Sequence, residues 1–327
     1  MDFLIKFRSI VTIPKTAAVL VTGSFLIALS MNRPYAFQKK NSPYIKKIKK
    51  YLVHHSPKTS ATEISLAFIF GDKRILGKEV KEHYKLMNLL HLFTPSGLHL
   101  SSLLLFLAPL FSFIRQKSPR LGKLLEISLL SPIFFLEKFY SLKRVALFRA
   151  LSLFLRNRAF FDNNFNIFLL VFFIDLFWNF QSSPLSFSFS FLFWGVILSS
   201  GRILTIKLPI ALFLTQMIVS MFFETPLSYL GCLLSFFLTS LFIFVFPVML
   251  LYLVCSSHFN VSLGYLEIVI EAFHQLICSL AIFSKTLGTF QANMFIVLLC
   301  IGLNFKLSAR QKYFVCGCFV LTSFSCL

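Results

Sequence analysis

Between Leu227 and Cys255 the chain carries no charged residue. A helix needs roughly 20 apolar residues to cross a hydrocarbon core of about 30 Å, and lipid offers its backbone polar groups no partner outside the helix itself. A run of this length therefore predicts a membrane-spanning helix. Further spans are predicted at Ala17–Met31, Leu89–Ile114, Phe165–Phe180, Leu185–Leu204, Leu208–Phe223, Leu287–Leu303 and Tyr313–Leu327, the first and last of them short. Leu121–Phe139 and Val261–Phe283 are apolar but carry carboxylates, so crossing, re-entry and an interfacial position all stay open for them. Hydrophobic residues make up 57% of the chain and charged ones 13%, a balance foreign to soluble domains. The expected fold class is all-α, a polytopic integral membrane helical bundle with broken or re-entrant helices.

Lys6, Arg8 and Lys15 precede the first apolar stretch, as in a secretory signal. Ala28-Leu29-Ser30-Met31-Asn32 is a weak cleavage site, so a retained anchor is expected. The chain then divides into an N-terminal membrane anchor with a basic linker over 1–58 and a polytopic transmembrane domain over 59–327.

Lys and Arg number 32 against 12 Asp and Glu, giving a net charge of +20. Short basic loops obeying the positive-inside rule account for much of that excess; anionic headgroups and nucleic-acid phosphates would reward the same residues. Arg115/Lys117/Arg120/Lys123, Arg156/Arg158, Arg202/Lys207 and Lys306/Arg310/Lys312 fall on one side, assigned to the cytoplasm, if Val261–Phe283 crosses. By parity Lys39, Lys40, Lys46, Lys47, Lys49 and Lys50 then lie outside, against the rule. That patch suits contact with DNA or with lipid headgroups.

Seven cysteines lie in or beside apolar segments without CxxC pairs or histidine spacing, which excludes a recognisable metal motif and a disulfide framework. Glycine-rich phosphate loops and metallohydrolase motifs are also absent from the sequence. No cofactor and no metal is expected.

The most informative segment is Leu89–Leu100, where His91, Pro95, Ser96, Gly97 and His99 interrupt an apolar run. Ionisable groups inside a span demand a partner or a wet cavity, and Pro95 with Gly97 predicts a helix broken in mid-membrane. Such breaks line the paths of transporters, while a kinked helix with Ser and His bonded to its neighbours would serve packing alone. Arg149 sits in the apolar stretch Val145–Leu155, where it either snorkels or faces a path; Asp72 is its candidate partner. Glu267, Glu271 and His274 recur on one helical face, which fits an interfacial helix or a proton relay.

His91-x4-Ser96-Gly97-Leu98-His99 resembles the core signature of the ComEC-type competence protein family, the inner-membrane channel component of DNA uptake. Gly71-Asp72 after a short apolar helix, Arg149-Ala150, Asp162-Asn163-Asn164-Phe165-Asn166 and Pro184-Leu185-Ser186-Phe187 follow in that family's order, so the resemblance covers roughly residues 60–285. It implies a multi-pass protein of the bacterial cytoplasmic membrane that passes single-stranded DNA. The channel path would run by His91, Pro95, Ser96, Gly97, His99, Asp72 and Arg149, with no catalytic residue. It further implies membrane lipid as surroundings and a separate DNA receptor, nuclease and ATP-driven motor as partners; an oligomer stays open. The external β domain and the metallo-β-lactamase-like domain of full-length members find no counterpart in this sequence, so the resemblance implies a minimal or repurposed homologue. Two other readings stand beside it. One is an intramembrane serine hydrolase with Ser96 as nucleophile and a histidine base; the other is a scaffold that transports nothing.

Overall fold

The computed structural model describes residues 15–31, 43–136, 139–156, 158, 161, 163–178, 180–199, 207–259, 264–293 and 297. Lys39, Lys40, Asp162, Cys300, Cys316, Cys318, Cys326, most of the predicted span Leu287–Leu303 and all of Tyr313–Leu327 lie outside them.

The fold is all-α. Among the described residues the helices are α1 (Lys15–Met31), α2 (Pro43–His55), α3 (Ser60–Phe70), α4 (Lys78–Leu86), α5 (Gly97–Lys117), α6 (Pro119–Phe135), α7 (Tyr140–Leu155), α8 (Asn164–Trp178), α9 (Pro184–Ser199), α10 (Lys207–Phe223), α11 (Tyr229–Phe259) and α12 (Gly264–Leu287). A 3-10 turn, Leu90–Phe93, precedes α5. Among the described residues, strand conformation is confined to the dipeptides Leu227–Ser228 and Thr289–Phe290.

Among the described residues three helices, α5, α11 and α12, are long and apolar enough to cross a membrane. The predicted spans Ala17–Met31, Phe165–Phe180, Leu185–Leu204 and Leu208–Phe223 fall in shorter apolar helices, of which α1 and α10 have 17 residues and α8 has 15. At 1.5 Å per residue these reach about 23–26 Å, less than the roughly 30 Å of hydrocarbon. The stretch read as a basic linker is helical over Pro43–His55.

The helices fall into two compact units. In the first, α1, α8, α9 and α10 pack together, and α1 against α9 is the most extensive helix pair. Their seam is polar at intervals: Ser30 and Ser188 hydroxyls lie 2.8 Å apart, and Ser199 donates to Thr16 Oγ1 at 3.2 Å. Hydroxyls of this kind hold apolar helices together where hydrophobic burial alone cannot select a partner. Phe168, Phe172, Phe187 and Phe191 fill the space between α8 and α9 edge to face or tilted.

The second unit holds α2 to α7 with α11 and α12. Its main core joins α3, α4, the 3-10 turn, α11 and α12 through Phe68, Tyr84, Phe93, Phe242, Tyr252 and Phe273, all buried. A smaller apolar core, Leu100, Leu130 and Ala146, ties α5, α6 and α7. Helix ends follow local chemistry. The Thr59 hydroxyl accepts from the Thr62 amide at the start of α3, and Gly71 closes that helix at φ +68°. At the start of α6, the Ser118 hydroxyl accepts from the Leu121 amide and Pro119 occupies the first turn.

Candidate functional site

Helix α5 begins later than the sequence predicts, which corrects the expectation of a single span broken in its middle over Leu89–Ile114. Pro95 disfavours helical geometry at Thr94, which is extended at φ −108° and ψ 117°. Ser96 is also extended, at φ −127° and ψ 172°, and serves as the N-cap, so the helix starts at Gly97. Leu90–Phe93 is left as a separate 3-10 turn. The polar residues of the motif therefore sit at a helix start, where backbone donors need partners anyway.

His99 supplies one. Its Nδ1 accepts the Ser96 amide at 3.2 Å, and the Ser96 hydroxyl stands 3.1 Å from the same nitrogen. The arrangement is a capping box with histidine in place of the usual Glu or Gln. An Nδ1 that accepts leaves the ring proton on Nε2 in the neutral form. Nε2 is buried without a hydrogen-bond partner among the described residues. The ring is 4% exposed and meets Phe242 and Phe246 edge-on, with centroids 5.2 and 4.7 Å away. One residue beyond the cap, the Gly97 amide donates to the Ser141 hydroxyl of α7 at 3.2 Å. A Cβ at Gly97 would lie 2.3 Å from Val145 Cγ2, so α5 and α7 touch through hydrogen.

Gly71 and Asp72 close on the same segment. A Cβ on Gly71 would come within 2.7 Å of Pro95 Cδ and 2.9 Å of the Phe93 carbonyl oxygen. The turn after α3 is thus pressed against the turn before α5. Asp72 accepts from the Arg74 side chain at 2.9 and 3.0 Å and from Lys49 of α2. The Arg74 guanidinium and then the Lys49 ammonium hold its carboxyl well below the usual carboxylate range, against the opposing cost of burial.

Arg149 does not pair with Asp72 as expected. Its Nε donates to Oε1 of Glu126 on α6, a carboxylate that is 1% exposed, and Arg115 Nη1 of α5 lies 3.8 Å from the other oxygen. Three helices of the α5–α7 layer thereby share one carboxylate between two guanidinium groups. Asp72 is already taken by two cations.

The remaining candidates separate. His91 is exposed on the 3-10 turn, its Nδ1 3.0 Å from the Asn88 carbonyl oxygen. Lys46, Lys47 and Lys50 are exposed on α2, whereas Lys49 turns inward to Asp72. Glu267, Glu271 and His274 do share a half-buried face of α12. Ser60 donates to Glu271 at 2.6 Å, and His274 Nδ1 lies 3.3 Å from the Tyr84 hydroxyl. Among the described residues no group of three or more His, Cys, Asp or Glu could hold a metal ion.

Sequence reasoning did not single out Glu126, Ser141, Phe242 or Phe246. Glu126 carried a usable signal, being one of the carboxylates in the apolar stretch Leu121–Phe139. The two phenylalanines carried none, since 44 occur in the chain and their place beside His99 is a tertiary fact. No protein-family model, no curated protein and no solved structure matches this chain.

Proposed function

We propose that the chain is a multi-pass protein of the bacterial cytoplasmic membrane and a channel component for the entry of single-stranded DNA, of the competence type that its motifs resemble. One observation carries this reading. Two of the segments that bear the resemblance, the Gly71-Asp72 turn and the Pro95 to His99 motif, lie more than 20 residues apart yet meet where Gly71 abuts Pro95. A motif scattered by chance has no reason to assemble.

The surface supports the membrane part of the reading. Phe135, Phe177, Trp178, Leu233 and Tyr265 are each at least three-quarters exposed, an arrangement suited to lipid and costly in water. In this reading the capped start of α5, with Ser96, Gly97 and His99, and the 3-10 turn with His91 border the polar path. Backbone that is not helical is tolerated at membrane depth only against protein or a wet cavity. Exposed Lys46, Lys47 and Lys50 would meet the phosphates of the strand or of lipid headgroups. Work would come from a separate ATP-driven motor, with a receptor and a nuclease delivering the strand.

The 3.1 Å approach of the Ser96 hydroxyl to His99 Nδ1 favours a second reading, an intramembrane serine hydrolase. Two features weigh against it. The Nδ1 lone pair also takes the Ser96 amide, and the buried Nε2 meets no carboxylate among the described residues, where a triad would place an orienting one.

The test is uptake of labelled DNA in a deletion strain complemented with wild type, His91→Ala, His99→Ala or empty vector, with DNA outside the inner membrane tracked separately. The channel reading expects entry to vanish on deletion while external DNA accumulates, and at least one histidine variant to fail at normal protein level. Unchanged uptake after deletion rejects it. Covalent labelling of Ser96 by a serine-directed fluorophosphonate would support the hydrolase instead.

A further inference from the structure

Helices α5 and α6 form an antiparallel hairpin that turns at Ser118, and an open groove of about 410 Å³ runs between them. Leu107, Leu110, Phe111 and Ile114 line it from α5; Leu125, Ser128, Leu129 and Pro132 line it from α6. Its volume lies within the roughly 300–1,000 Å³ usual for ligand clefts. The only polar side chain on its walls, Ser128, spends its hydroxyl proton on the Leu125 carbonyl oxygen at 2.9 Å. Such a groove accepts hydrocarbon and offers nothing to a polar ligand along its length.

Its end at the hairpin turn is different. From Phe113 to Leu125 the sequence holds Arg115, Lys117, Arg120 and Lys123 and no acidic residue. Arg115 is engaged with Glu126 and with the Phe111 carbonyl oxygen, and Lys123 projects from the far side of α6 at helical spacing. Lys117 and Arg120 are exposed on either side of Ser118, beyond the last groove residues Ile114 and Leu125. Lys117 Nζ rests 4.6 Å above the exposed Phe113 ring. An apolar trough that ends at two exposed cations is complementary to a molecule with an anionic head and an alkyl tail.

We propose that the α5–α6 hairpin binds one anionic phospholipid of the bilayer, with an acyl chain along the 107–132 groove and its phosphate at Lys117 and Arg120. The site rests on the membrane reading given above, and it would serve as an anchor that fixes this hairpin at the anionic leaflet. If Val261–Phe283 crosses, the positive-inside rule puts this basic turn on the cytoplasmic side, where anionic headgroups attract cations.

The full chain is first tested in isolated membranes by alkaline carbonate extraction. It is then purified in detergent and measured by native mass spectrometry with dioleoyl phosphatidylglycerol or dioleoyl phosphatidylcholine. The expected result is a single bound phosphatidylglycerol with about a tenfold preference over phosphatidylcholine. Lys117→Gln/Arg120→Gln, at two exposed positions, should equalise the two lipids, and Ser128→Phe should reduce binding of both by filling the groove. Equal binding of the two lipids by the wild type, or a preference that survives Lys117→Gln/Arg120→Gln, overturns the site while a carbonate-resistant chain keeps the membrane reading. Release by carbonate overturns both.

Discussion

Arg149 on α7 donates through its Nε to Glu126 on α6, and Arg115 on α5 approaches the other oxygen of the same buried carboxylate. Removing the carboxylate would leave two guanidinium groups facing an apolar layer. Glu126→Gln should therefore destabilise the protein by about 2 kcal/mol. That is below the roughly 3–5 kcal/mol for a fully buried pair, because the Arg149 side chain is 35% exposed. Glu126→Gln/Arg149→Gln should recover part of the loss. Thermal melting in detergent, run as a double-mutant cycle, measures the coupling, and strictly additive losses would show that the pair contributes nothing.

At the α5 cap, His99→Ala removes both the acceptor for the Ser96 amide and a ring packed between Phe242 and Phe246. The lost cap costs about 1 kcal/mol and the vacated volume adds about 1–2. His99→Gln keeps an acceptor in the position where a capping box normally carries Gln, and should lose about half as much. Equal melting temperatures for the two variants would reject the capping role.

Gly97 and Val145 are the point where α5 and α7 come closest. Gly97→Ala places a methyl group 2.3 Å from Val145 Cγ2, and valine is stiff at χ1, so about 1–3 kcal/mol of overpacking is expected. Val145→Ala in the same chain should restore most of it. A rescue of less than about 0.5 kcal/mol would mean that the two helices separate freely.

Asp72 makes stability depend on pH in a stated direction. Its folded-state carboxyl is held below its ordinary value of about 4 by Arg74 and Lys49, so the ionised form is favoured by folding. The contribution is present above that value and is lost as pH falls below it. Wild type and Asp72→Asn should differ in melting temperature at pH 7 and converge as the buffer is taken from pH 5 towards pH 3. A gap that stays constant over that interval would remove Asp72 from the tie between α2 and the turn after α3.

Periodicity and composition alone account for the helical class. The uncharged run Leu227–Cys255 reads as a long helix, and α11 covers all of it except Leu227 and Ser228, which are extended. The helix break near Pro95 was equally legible, because proline restricts the residue before it wherever it occurs. Position along the helix was not: only with Ser96 extended and capped by His99 does the motif become the start of α5. Charge pairing was decided wholly by tertiary structure. Sequence offers Arg149 several carboxylates, and the choice of Glu126 follows from the crossing of α6 and α7, while Asp72 is claimed by a lysine of α2 and by its own neighbour Arg74. A side chain's chemistry is written in its residue type, but its partner depends on which helices pack together. In an apolar chain that choice rests on a few short-range contacts, such as Gly97 on Val145, that no periodicity encodes.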